Sequence, residues 1–170
     1  EIIDCDWSSD VCSSDLCTRK TAVNADAVYV DPSALSRLYL NQPGSREMHL
    51  WRARAKGGLP VTHHGRTELV NAVSLTVFRG ERTLEQAEKA WANIDSDFED
   101  GHLDQVDILW RAALNRAAEL SRTHSPAVGA RALDVLHVAC ALELGLRHLL
   151  TFDDRQAKLA GAAGLKLVKL

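Results

Sequence analysis

Four acidic residues stand where a carboxylate could do chemistry. Asp31 follows the apolar run Ala27-Val28-Tyr29-Val30, and Glu68 lies just beyond the run from Leu59 to Thr62. Asp134 sits within the apolar stretch from Ala132 to Leu142, and Asp153 follows Phe152 at the end of another apolar run. Carboxylates drawn from distant parts of a chain into one cleft suit a hard divalent ion. Mg²⁺ takes octahedral oxygen ligands and keeps several waters, and Mn²⁺ accepts a similar set. Such an ion also offsets the repulsion that would otherwise raise the pKa values of neighbouring acids. One or two ions of this kind can activate a water and stabilise the leaving oxygen in phosphodiester cleavage. Asp134 is the most informative of the four. Apart from Asp134 and His137 its stretch is apolar all round, the pattern of a helix sunk in a core. A carboxylate there is costly unless it is paired or binds a metal.

Each acid also has a purely structural role open to it. Asp31 before Pro32 could cap a helix, and Asp153 with Gln156 could form a capping pair. Glu68 could complement a helix dipole, and Asp134 could pair with Arg131 one turn earlier. Caps alone, however, do not require four acids at the same end of one sheet. Asp154 competes with Asp153, but only Asp153 keeps the Thr151-x-Asp arrangement. His137 reads as a core histidine with satisfied hydrogen bonds. His63 and His64 read as a plain loop, and Trp51, Trp91 and Trp110 as core or dimer contacts.

Short apolar runs at 27–30, 59–62, 103–107, 147–152 and 165–170 predict the strands that must position these acids. Between them, helical patterns cover 35–40 (with Pro32 in the first turn), 45–56, 66–78, 83–98, 108–123, 131–144 and 154–162. Thr83 with Gln86 is a capping-box signal, and Ser125-Pro126 with Gly129 predicts a break. Alternating strands and helices imply an α/β fold with a mostly parallel sheet of four or five strands and helices on both faces. In such sheets ligands bind beyond the carboxyl ends of the strands, which is where the acids fall. No phosphate-cradling glycine loop or nucleophilic serine elbow is present.

The chain has 170 residues, 46% hydrophobic and 25% charged, with a net charge of −3. That composition is ordinary for one globular domain, and no run is apolar enough to span a membrane. The charge is uneven. Residues 37–66 hold six Lys and Arg against Glu47 alone, whereas residues 95–107 hold six acids and no Lys or Arg. The basic stretch could attract phosphates. Residues 8–17 repeat one pentad, Ser-Ser-Asp-Val-Cys then Ser-Ser-Asp-Leu-Cys, and three of the four cysteines lie nearby at positions 5, 12 and 17. Their spacing matches no common zinc pattern. The segment resembles a translated sequencing-adapter remnant, and the only methionine, Met48, is internal. Residues 1–25 are therefore expected to be extraneous and residues 26–170 to form the domain.

From Val28 to Leu170 the sequence resembles PIN-domain nucleases, especially VapC-type toxins of type II toxin–antitoxin pairs. The matching pieces are Val28-Tyr29-Val30-Asp31-Pro32-Ser33-Ala34-Leu35, Thr67-Glu68-Leu69-Val70-Asn71-Ala72, Leu133-Asp134-Val135-Leu136-His137-Val138-Ala139 and Leu150-Thr151-Phe152-Asp153-Asp154-Arg155-Gln156. The resemblance implies a Rossmann-like PIN domain and Mg²⁺- or Mn²⁺-dependent endonucleolytic cleavage of RNA. It assigns catalysis and metal binding to Asp31, Glu68, Asp134 and Asp153, with Thr151 and Ser33 in support. It further implies a cytoplasmic homodimer and a cognate antitoxin that blocks the cleft. Two other readings remain open. One is a catalytically inactive PIN-like module that binds RNA or protein. The other is a phosphohydrolase with Asp31 as nucleophile, although Ser33 stands where haloacid-dehalogenase-like enzymes place a second aspartate.

Overall fold

The computed structural model describes residues 27–170. The doubled pentad, Cys5, Cys12, Cys17 and the rest of the segment expected to be extraneous lie outside them. The described residues form β1 (Val28–Val30), α1 (Pro32–Tyr39), α2 (Ser45–Arg52), β2 (Leu59–Thr62), α3 (His63–Phe78) and α4 (Leu84–Glu99). These are followed by β3 (Leu103–Val106), α5 (Trp110–Val128), α6 (Ala132–Glu143), β4 (His148–Leu150), α7 (Asp154–Ala162) and β5 (Lys166–Leu167).

Every recorded strand pair is parallel. β1 pairs with β4, with Val30 opposite Leu150; β4 pairs with β5, and β2 with β3. The hydrogen-bonded ladders form two sheets, β1-β4-β5 and β2-β3, and not the single sheet expected; β2 packs beside β1 without a ladder, so the spatial order is β3-β2-β1-β4-β5. The chain builds outward from β1 in one direction and later from β4 in the other. β1 and β4 thus flank the point of reversal, where open α/β sheets bind ligands.

Successive residues of a strand face opposite sides, and both sides are covered here. Val30 and Leu150 enter one core with Leu35 of α1, Leu69 and Val73 of α3 and Ile94 of α4. Tyr29 and Leu149 enter the other with Val135 and Val138 of α6 and Leu159 of α7. Burial on both faces explains why these strands read as unbroken apolar runs. Trp51 and Trp91 pack against the first core and Trp110 against the second. Among the described residues, no helix is long and apolar enough to cross a membrane.

Helix starts follow local chemistry. Thr83 and Gln86 form the expected capping box, each side chain accepting from the other residue's backbone N–H. The Thr62 hydroxyl accepts from Gly65 N–H at 3.1 Å and starts α3 at His63. His63 and His64 therefore lie in a helical turn and not in the expected loop. α5 continues through Pro126 to Val128 instead of stopping before Ser125. Pro126 falls in the last turn, where few backbone bonds depend on it, and Gly129 at φ 69° ends the helix in the left-handed region. β4 ends at Leu150, so Asp153 does not terminate the strand but lies three residues beyond it.

Candidate functional site

The β1–β4 register carries Asp31 and Thr151 out of the sheet side by side, with Asp31 N–H donating to the Leu150 carbonyl at 3.1 Å. Asp31 Oδ1 accepts from the Ser33 hydroxyl at 2.7 Å and from Ala34 N–H at 3.0 Å, which makes Asp31 the N-cap of α1. Its Oδ2 lies 3.1 Å from the Thr151 hydroxyl. The side chain is 4% exposed. Burial pushes its pKa up to about 6, against the opposing pull of the Ser33 bond, charge on His137, Ala34 N–H and Thr151. Among the described residues no lysine or arginine pairs with it. A nearly buried carboxylate served only by neutral donors, at the reversal point of the sheet, fits a cation-binding position.

Thr151 ties this acid to the next helix. Its oxygen accepts from Asp153 N–H at 2.9 Å and lies 2.7 Å from Gln156 Oε1, so Asp31 and Gln156 compete for its one hydroxyl proton. Ser33 adds a second link by accepting from Phe152 N–H at 3.0 Å. Asp153 is the N-cap of α7, with Oδ1 accepting from Arg155 and Gln156 N–H at 2.8 and 2.9 Å. Asp154, its competitor, is exposed in the first turn. Gln156 is 1% exposed, and its Nε2 reaches to 3.5 Å from the Asp134 carbonyl.

Asp134 sits in the first turn of α6, its Oδ2 accepting from Arg131 N–H at 3.0 Å. It pairs with the backbone of Arg131, not with the guanidinium. Neither is the turn buried all round, as the sequence suggests: Asp134 is half-buried and Leu133 is 51% exposed. Burial of α6 begins in earnest only at Val135.

Glu68 faces a different set of partners. Its Oε2 lies 2.7 Å from Nε2 of His137 and 3.5 Å from Nε2 of His64. His137 is 2% exposed, and its Nδ1 lies 2.7 Å from the Tyr29 hydroxyl. A neutral ring that donates from Nε2 to Glu68 accepts at Nδ1 from Tyr29. The His137 bond holds the Glu68 carboxyl below its usual value, outweighing burial. Burial keeps Tyr29 a phenol. The His64 ring stacks on His137 at 4.9 Å and 27°. His137 is a core histidine, as its sequence setting implies, but one of its two partners is a site acid.

The structure thus links Asp31, Asp153 and Asp134 through Thr151 and Gln156, and places Glu68 on His137. The four carboxylates do not close on one ligand-sized point. The group that does so, among the described residues, is His64, Glu68 and His137, with ligand atoms within 4.8 Å of one another. Sequence reasoning missed this grouping. Its one local signal is the i, i+4 spacing of His64 and Glu68 on a helix. Half of the basic stretch is engaged within the protein. Arg66 pairs with Asp95 at 2.9 Å, Arg52 donates to the Gly57 and His102 carbonyls at 3.2 Å, and Arg37 donates to Pro43 at 2.8 Å. These three arginines hold loops and helices of the protein itself.

A family model described as the PIN domain matches residues 28–162. No curated protein sequence matches the chain. Among solved structures the fold is similar to VapC20 of Mycobacterium tuberculosis, described as a Sarcin-Ricin loop cleaving toxin. That match has a TM-score of 0.63 and 17% identity, over 85% of this chain and 100% of the other. The fold is also similar to PAE2754 from Pyrobaculum aerophilum, with a TM-score of 0.50 and 18% identity, over 85% of this chain and 90% of the other.

Proposed function

The chain belongs to the PIN-domain family, and from that premise we propose that it is a Mg²⁺- or Mn²⁺-dependent endoribonuclease, the toxin of a VapBC-type pair. The observation that carries this reading is Asp31, a 4%-exposed carboxylate that no lysine or arginine pairs with among the described residues, at the reversal point of the sheet. Asp31, Glu68, Asp134 and Asp153 are the residues proposed to hold the metal; because no three of them meet at one point among the described residues, they would have to draw together around it. Bound there, a divalent ion supplies an activated water and positive charge for the phosphate oxygens.

The chain's own groups prepare that chemistry. Ser33 and Ala34 N–H fix one oxygen of Asp31, and Thr151 fixes the other. Gln156 joins Thr151 to the turn that bears Asp134, so acids from three elements are linked through two side chains. His137 keeps Glu68 ionised at neutral pH by donating to it. The domain spans residues 26–170, acts in the cytoplasm on RNA, pairs as a homodimer and is held in check by a cognate antitoxin. The sarcin–ricin loop named for the similar fold is one RNA to test.

Purified protein should cleave RNA with Mg²⁺ or Mn²⁺ and stop on chelation, and Asp31→Asn or Asp134→Asn should remove cleavage while leaving the fold intact. Expression in cells followed by mapping of new RNA ends would then locate the sites. Cleavage that persists in both variants, or in excess chelator, would overturn the reading. The helix-capping roles of Asp31, Asp134 and Asp153 favour one alternative, a PIN-like module that binds without cleaving. Such a module would bind RNA whether or not Mg²⁺ were present.

A further inference from the structure

Two imidazole nitrogens and one carboxylate oxygen meet at the α3–α6 contact in a way that Mg²⁺ cannot use. We propose that His64, Glu68 and His137 form a second metal site, for zinc-class ions, and that an ion there takes Glu68 from the first site and switches cleavage off. The second half of this proposal rests on the nuclease reading; the first half does not.

The donor set selects the ion. Imidazole suits zinc and its neighbours in the first transition row, whereas magnesium prefers oxygen. Zinc holds nitrogen and oxygen ligands at about 2.0–2.2 Å, so its ligand atoms lie roughly 3.0–3.5 Å apart. Glu68 Oε2 already lies 2.7 Å from His137 Nε2 and 3.5 Å from His64 Nε2. The three ligand atoms lie within 4.8 Å of one another, so the two rings would have to draw together by about an ångström to close the set. Three protein ligands also leave one position open to water.

Two further observations point to a ligand. Nε2 of His64 is buried and, among the described residues, has no hydrogen-bond partner, although a buried ring nitrogen ordinarily finds one. Coordination would satisfy it. In addition, the Tyr29 hydroxyl on Nδ1 of His137 is the outer partner that orients a metal-bound histidine. On binding, His137 stays neutral and changes tautomer: Nε2 gives up its proton as Nδ1 takes one from solvent, with no net release, and the new Nδ1–H donates to the Tyr29 oxygen. The Thr62 cap fixes the turn that carries His64, and His137 comes from the buried part of α6. The site is therefore built on helices and not on a loop.

The test uses the full chain with Cys5, Cys12 and Cys17 replaced by serine, so that thiolates cannot contribute. Co²⁺ titration should show one ion per chain by its visible d–d absorption, displaced by Zn²⁺. His64→Ala should weaken Zn²⁺ binding by at least roughly tenfold, with an unchanged far-ultraviolet spectrum reporting the fold. His137→Gln serves as a second ligand variant. Asp31→Asn should bind Zn²⁺ as the parent does while losing Mg²⁺-dependent cleavage. Zinc should inhibit the parent, and His64→Ala should escape inhibition, each protein measured against its own magnesium-only rate. Undiminished Zn²⁺ binding in His64→Ala, or no binding in the parent, overturns the site. Zinc binding without inhibition overturns the switch. If no protein cleaves RNA but Zn²⁺ still depends on His64, the nuclease reading fails and the metal site stands.

Discussion

Thr151 holds its hydroxyl oxygen 3.1 Å from Oδ2 of Asp31, a residue 120 positions earlier in the chain. The same oxygen accepts from Asp153 N–H and meets the Gln156 amide. Thr151→Val keeps the shape and removes the hydroxyl. It should destabilise the fold by about 1–3 kcal/mol, the range for leaving buried polar groups unpaired, and lower cleavage more than tenfold. Thr151→Ser should restore most of both. Denaturant unfolding and initial cleavage rates check the pair of effects; a fully active valine variant would remove Thr151 from the site.

The burial of Asp31 gives stability a pH dependence of definite sign. Its native pKa is raised to about 6, against an unfolded value near 3.9. Between those values the native state binds more protons than the unfolded state, so metal-free stability falls as pH rises from about 4 to about 6. A shift of about two units corresponds to roughly 3 kcal/mol. Asn at position 31 carries no charge and still caps α1. Metal-free Asp31→Asn should therefore be more stable than the parent near neutral pH and no more stable at about pH 4. Unfolding curves at several pH values give the difference directly.

Magnesium should reverse that penalty in the parent alone. An ion that binds only the native state stabilises by about 2.7 kcal/mol at 100 times its Kd, which corresponds to a rise in Tm of several degrees for a domain of this size. Thermal melts with Mg²⁺, and again after chelation, should show this shift in the parent and not in Asp31→Asn. Equal shifts in both would place the ion elsewhere.

Gly44 offers a test of the support beneath the site. It has φ 89°, and a Cβ there would overlap the Phe152 ring, which lies under the Arg37 guanidinium at 3.8 Å. Gly57 has φ 76° but open space around it. Gly57→Ala should cost only backbone strain, about 1–2 kcal/mol, and leave cleavage alone. Gly44→Ala should cost more and reduce cleavage, because Phe152 adjoins Thr151. Similar losses in the two variants would mean that Phe152 moves aside freely.

Much of this architecture is legible in the sequence because it depends on neighbours a few positions apart. The Thr83–Gln86 box, β2 from Leu59 to Thr62 and α7 from Asp154 to Ala162 all rest on local signals. Asp31 is legible as a candidate because it follows an apolar run, whereas Thr151 enters only through the family resemblance. The contacts of Glu68 are not legible. Its partner His137 lies 69 positions away, and Tyr29 a further 108 from His137; no periodicity encodes such pairings. Pro126 misleads because its effect depends on where the helix was already ending. The pairing of Arg66 with Asp95, 29 positions apart, is likewise not encoded in either charged stretch alone.

Three of the proposed metal-binding acids also secure helix starts: Asp31 and Asp153 are the N-caps of α1 and α7, and Asp134, third in α6, accepts from the N–H of its N-cap Arg131. Glu68 starts none. Selection for a foldable chain would preserve the three aspartates long after selection for cleavage had lapsed. Among descendants that abandon catalysis, position 68 should be the first of the four to drift.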